Sequence, residues 1–153
     1  MTELITPNQP QSKDKEGWQP YDLDYYAQEL VLDYRDKKNV LNESHKMRMT
    51  IAYGLERFWG EHLRLLRENK EEQRNKGKYW KAVWDKLEFI LKKGGVNLPN
   101  HSVDPNNTQQ IKDMAKALWK MPLPEQRVAL MVLTQLCDSI VWWTQRYKKS
   151  SSD

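Results

Sequence analysis

The sequence predicts an all-α fold, a single-domain bundle of about five helices. Three observations point there. Between a polar start and a polar end, apolar residues recur at i, i+3, i+4 and i+7. No stretch alternates apolar and polar residues between turn signals, as a half-buried strand would. The joints between the periodic stretches carry the proline, glycine and asparagine that end or connect helices. At 153 residues the chain is long enough for one core and too short to expect two.

Residues 1–20 hold three prolines among Gln, Asn, Ser, Lys and Asp, with little apolar surface to offset the entropy of ordering. They read as a flexible tail. The bundle should occupy 21–149, and residues 150–153 should form a disordered end. The first helix falls at about 22–36, where Leu23, Tyr26, Ala27, Leu30, Val31 and Tyr34 line one face and Asp22 and Asp24 favour its start. A long second helix should begin after Asn42, a good N-cap, and run to about Asn75. Its stripe is Met47, Ile51, Leu55, Phe58, His62 and Leu66. The third, at about 78–93, gathers Trp80, Val83, Trp84, Leu87, Ile90 and Leu91, and Gly94 should cap it after cations in the last turn. After a Pro- and Asn-rich loop, the fourth, at about 106–121, should bury Ile111, Met114, Ala115 and Leu118 and stop at Pro122. Pro124 suits the first turn of the fifth, at about 124–148. An antiparallel bundle with short connections is the simplest way to pack these helices.

Composition narrows the function. Charged residues make up 30% and apolar residues 39%, so the core must rely on large side chains, and seven tryptophans supply much of that bulk. No apolar run is long enough to span a membrane, and a cytoplasmic protein is expected. The one cysteine, Cys137, fits a reducing compartment and a buried apolar role. Phosphate-binding loops, dinucleotide fingerprints and zinc-type spacings are absent from the sequence. His45, His62 and His101 are far apart in the chain, and His62 falls on an apolar stripe. No catalytic residue, metal site or cofactor is expected.

Charge is unevenly spread. Residues 1–40 carry 5 basic and 8 acidic groups, residues 41–100 carry 13 and 8, and residues 101–153 carry 7 and 5. The basic middle is where an anionic partner would be drawn. On a continuous second helix the face opposite the core would carry Lys46, Tyr53, Arg57, Gly60 and Arg64, with Arg67 beside it, over about 27 Å. Cations with an intervening aromatic suit a sugar-phosphate backbone. Lys78, Lys81 and Arg146 would support them. The competing reading is a solvated face on which Glu56, Glu61 and Glu68 pair with these cations.

The fifth helix carries a single charge, Asp138, between Val128 and Trp143. Trp143 and Tyr147 continue its core stripe. Met131, Gln135, Trp142 and Arg146 lie on a second line about 100° away. That line has the composition of an interface, unless another helix of the same chain covers it.

The stretches "ALMVLTQLCDSIVWWTQRYKK", "SHKMRMTIAYGLERFWGEHLRLLRE" and "KYWKAVWDKLEFIL" together resemble, over about residues 22–149, the small subunit of multi-subunit CRISPR–Cas effector complexes of type III and related systems. The resemblance implies several copies stacked along a nucleic-acid path without catalysis. The expectation is therefore a non-catalytic subunit that binds RNA or single-stranded DNA. Its partners would be other subunits of a ribonucleoprotein, further copies of itself among them, and it would not associate with a membrane. A helical protein-interaction adaptor that binds no nucleic acid is the alternative.

Overall fold

The computed structural model describes residues 20–150. Most of the expected tail, residues 1–19, and residues 151–153 of the expected C-terminal end lie outside the described residues. Six α-helices are present among the described residues: α1 (Pro20–Tyr34), α2 (Ser44–Thr50), α3 (Leu55–Leu66), α4 (Glu71–Lys93), α5 (Thr108–Lys120) and α6 (Leu123–Tyr147). Single 3-10 turns at Val40–Glu43 and Ile51–Tyr53 flank α2. No strand occurs among the described residues.

The expected long second helix is divided twice. Gly54 has φ 101° and ψ 168°, a conformation open to glycine and strained for any L side chain, and it ends one helical segment and begins the next. The second break falls at residues 67–70, and the polar "EEQRNKG" that follows belongs to α4. Hydrophobic spacing survived the first break because both pieces bury the same side: Met47, Ile51, Leu55, Phe58 and His62 are all buried, while at the end of α3 Leu65 is buried and Leu66 half-buried. That continuity is what made one helix look right.

The centre of the molecule is α4. Tyr79, Trp80, Val83, Trp84, Leu87, Ile90 and Leu91 are buried on it, and two of its indoles tie distant chain to the core. Trp80 Nε1–H donates to Glu43 Oε1 at 2.9 Å, and Trp84 Nε1–H donates to the Pro99 carbonyl at 3.1 Å. The helix ends in paired 6→1 and 5→2 hydrogen bonds, from Val96 N–H to the Leu91 carbonyl (3.0 Å) and from Gly95 N–H to the Lys92 carbonyl (3.1 Å). The residue with positive φ (83°) is Gly95, one position beyond the glycine expected to cap.

Helix α3 runs antiparallel to α4, with Phe58 against Trp80 and Trp84 at ring separations of 4.8 and 6.3 Å. Helices α1 and α6, by contrast, run parallel. Asp24 accepts from Trp143 Nε1–H, Gln28 donates to the Tyr147 hydroxyl, and Arg35 Nε–H reaches the Tyr147 carbonyl at 2.8 Å, so both chains rise together. Five alternating helices would likewise set the first and the last parallel. Arg48 bonds Asp138 at 2.6 Å and thereby gives the single charge in the apolar stretch of α6 a partner on α2.

The tryptophans divide. Trp59, Trp80 and Trp84 are buried, whereas Trp119 and Trp142 face solvent and Trp143 is half-buried. Cys137 is fully buried, and burial pushes its thiol up, away from the thiolate form. His62 is buried with Nδ1 bonded to the Trp59 carbonyl, and burial holds its pKa below the ordinary value although that bond opposes the shift.

Gly77 sets the approach of α3 to α4. A Cβ there would lie 3.0 Å from Leu65 Cβ and 3.1 Å from both the His62 carbonyl oxygen and the Leu66 nitrogen. Two of those three atoms are backbone and cannot turn aside. Alanine would gain about 1 kcal/mol of helix propensity but lose roughly 1–3 kcal/mol to overpacking. Gly77→Ala should therefore destabilise the protein, seen as a lower urea midpoint with an unchanged slope; a raised midpoint would contradict this packing.

Candidate nucleic-acid interface

The break at Gly54 folds α3 back on α2. In one continuous helix Lys46 and Glu61 would stand about 22 Å apart, yet their side chains form an ion pair at 2.8 Å. The same Glu61 carboxylate receives Arg64, at 2.5 and 3.1 Å. Burial pushes the Glu61 carboxyl up, but the hydrogen bonds and charges of Arg64 and Lys46 outweigh it and hold the pKa below the ordinary value. Two of the expected phosphate contacts thus share a carboxylate of their own chain. The expected row from Lys46 to Arg64 is not formed.

The remaining expected residues scatter. Lys81 pairs with Asp85 at 2.5 Å, one turn along α4. Lys78 and Arg67 are exposed and without an ion pair among the described residues. The Arg146 guanidinium lies over the Trp142 ring, 3.5 Å from its centroid, and donates to the Trp142 carbonyl. Met131, Gln135 and Trp142 all face outward on α6, Met131 and Trp142 at 51% and 47% exposure, and no other helix among the described residues covers them. Trp143 turns inward, stacking on Tyr147 at 5.3 Å.

Tyr53 and Arg57 are brought together, with the guanidinium 5.6 Å from the ring centroid. They stand at the mouth of a groove of about 590 Å³ between α3 and α5. Leu55, Leu63, Ile111 and Leu118 give it apolar walls, and Glu56, Trp59, Gly60, Trp119 and Gln126 are also among its lining. The groove exists because α5 buries only Met114 and Leu118. Ile111, on the same apolar side, is half-buried at the groove edge. Trp119 is 79% exposed and Tyr53 67%, so two large rings face solvent around one opening. Trp59 is buried, yet its indole N–H finds no acceptor among the described residues.

Sequence reasoning missed the cations of α5, the helix that supplies one wall of this groove. Lys112, Lys116 and Lys120 are one turn apart on α5, all exposed and none ion-paired among the described residues. At about 100° per residue, Trp119 falls within a few tens of degrees of Lys112 and Lys116. Free ammonium groups therefore follow one another over about 12 Å beside an open indole. The signal is legible in "KDMAKALWK", whose lysines repeat every four residues, but the charge of residues 41–100 is denser.

No helix among the described residues is long and apolar enough to cross a membrane. The chain matches no protein-family model, no curated protein and no solved structure.

Removing Glu61 isolates what its two partners contribute. Glu61→Gln should lower stability by roughly 0.5–1 kcal/mol and leave Lys46 and Arg64 without their carboxylate. Affinity for heparin or another polyanion should then rise, read as later elution from a heparin column at fixed pH. Earlier elution would mean that the two cations point away from any polyanion path.

Proposed function

We propose that the chain is a non-catalytic nucleic-acid-binding protein that holds RNA or single-stranded DNA against α5 and the groove beside it. One observation carries the reading: Lys112, Lys116 and Lys120, without ion pairs among the described residues, share α5 with the exposed ring of Trp119, which lines the same groove as the exposed ring of Tyr53. Phosphates are attracted by charge whatever the sequence, and bases stack on any open aromatic face. Arg57, already against Tyr53, supplies a fourth cation at the same opening. The site thus moves from the expected stripe to the groove between α3 and α5, keeping Tyr53, Arg57 and Gly60 from it. Assembly into a CRISPR-type ribonucleoprotein is part of the proposal and rests on the sequence resemblance.

Three lysines neutralising three phosphates of a single strand give a logarithmic salt slope of about −2. Fluorescence anisotropy with a labelled oligonucleotide should show affinity falling roughly tenfold to twentyfold between 50 and 200 mM salt. Replacing all three lysines with glutamine should flatten most of that slope. Salt-independent binding, or an unaltered slope in the triple variant, would remove the reading.

A second reading has its own observation, the outward line of Met131, Gln135 and Trp142 on α6. Large rings and thioethers at half exposure are typical interface anchors. On this reading they join neighbouring copies along one strand. Trp142→Ala should abolish cooperative binding to a strand several footprints long and spare affinity for a single-footprint strand. Equal losses on both lengths would place Trp142 in the nucleic-acid site instead.

A further inference from the structure

We propose that the groove beneath Gly60 seats one unstacked base, so that the protein selects single strands over duplexes; this rests on the nucleic-acid reading above. Two glycines inside helices, Gly60 and Gly77, differ in what surrounds them. Gly77 is required by the chain's own packing, since a Cβ there meets α3 at about 3 Å. Gly60 is not. It stands in the middle of α3, lines the groove, and a Cβ built on it has no atom within 4 Å. A mid-helix glycine weakens its helix, and here no neighbour in this chain takes up the space it leaves.

The surroundings of that space fit a base better than an apolar protein segment. The volume, about 590 Å³, lies within the roughly 300–1,000 Å³ of sites that take small organic groups. Its rim is aromatic at Tyr53 and Trp119, so a flat ring entering it meets another ring. Arg57 lines it, and α5, which supplies one of its walls, carries the exposed Lys112, Lys116 and Lys120, charges that match the phosphates that accompany a base. A partner helix presenting an apolar face would leave those charges unanswered. Glu56 is the one acidic residue of the lining, and it is exposed.

A base in a duplex is stacked and paired, and it enters a pocket only after paying to leave the helix. A base in a single strand is already available. The lysine row sees phosphates in both. Selection for single strands therefore resides in the groove, and general affinity in the lysines.

The test measures binding of a fluorescein-labelled oligonucleotide and of its blunt duplex, by anisotropy at low salt, with wild-type protein and three variants. Gly60→Leu fills the space from α3, Trp119→Ala removes the open ring, and Gly60→Ala adds only a methyl group. Wild type should bind the single strand roughly tenfold tighter than the duplex. Gly60→Leu and Trp119→Ala should bring single-strand affinity down to the duplex level without changing the duplex value. Gly60→Ala should melt higher than wild type, showing that the glycine is not kept for folding. If Gly60→Leu melts normally and binds the single strand as wild type does, the base seat is overturned, as it would be by a groove that takes a protein segment. Nucleic-acid binding itself would stand. If wild type binds neither single strand nor duplex, the nucleic-acid reading falls and the base seat with it. Should Gly60→Leu not fold, Trp119→Ala alone decides the matter: unchanged strand selectivity overturns the seat.

Discussion

The burial of Trp80 and Trp84 in α4 is the constraint on which the rest of the structure depends. A buried indole brings a large apolar body and one N–H that must find an acceptor. Trp80 finds Glu43, and so fixes the 3-10 turn that leads into α2; Trp84 finds the Pro99 carbonyl, and so fixes the loop that leads to α5. Lys76 lies 3.8 Å from the same Glu43, so the buried carboxylate has a countercharge as well as a donor. Those two bonds set where the flanking segments begin. Phe58 then packs across both indoles, Gly77 lets the two backbones close, and α3 has its place.

With α3 held by α4 on one side, its other edge is available to α5. That contact is incomplete because α5 brings only two fully buried side chains to it. The groove is the unfilled remainder. Its opening collects the residues that neither helix needs for its own packing: Gly60, Trp119, Tyr53 and Arg57. A site arises here from a shortage of packing on one element, and rigid helices on either side hold it in shape.

The sequence made the helical stripes legible because burial on a helix repeats every 3.6 residues, and that period does not depend on what lies opposite. For the same reason it concealed Gly54, which turns the chain while leaving the spacing from Met47 to His62 intact. The glycine itself was visible, but its positive φ is a property of the backbone and not of the pattern. The start of α4 was missed because its first turns are polar and carry no period. Pairings across the fold were beyond reach: Glu61 between Lys46 and Arg64 depends on the bend, and Lys81 with Asp85 on a choice among several possible partners. The lysines of α5 show the opposite case. Their spacing was readable, and their freedom from carboxylates was not.

Two exposed tryptophans separate the candidate surfaces. At Trp142 the Arg146 guanidinium lies 3.5 Å from the ring centroid, and Trp143 meets the ring edge-on at 4.8 Å. One face of that indole is therefore already occupied by a cation of the same chain, and a base arriving there would have to displace a contact of roughly 0.5–1 kcal/mol before stacking. Trp119 has no ring or cation set against it among the described residues, and the ammonium groups beside it are unpaired. The two aromatic clusters suit different partners. A stacked and partly satisfied ring offers a preformed, flat surface to another protein, whereas an open ring beside free cations suits a strand of bases and phosphates. On this reading the C-terminal cluster joins copies of the protein and the α5 groove holds the nucleic acid, so one small bundle serves both tasks on separate faces.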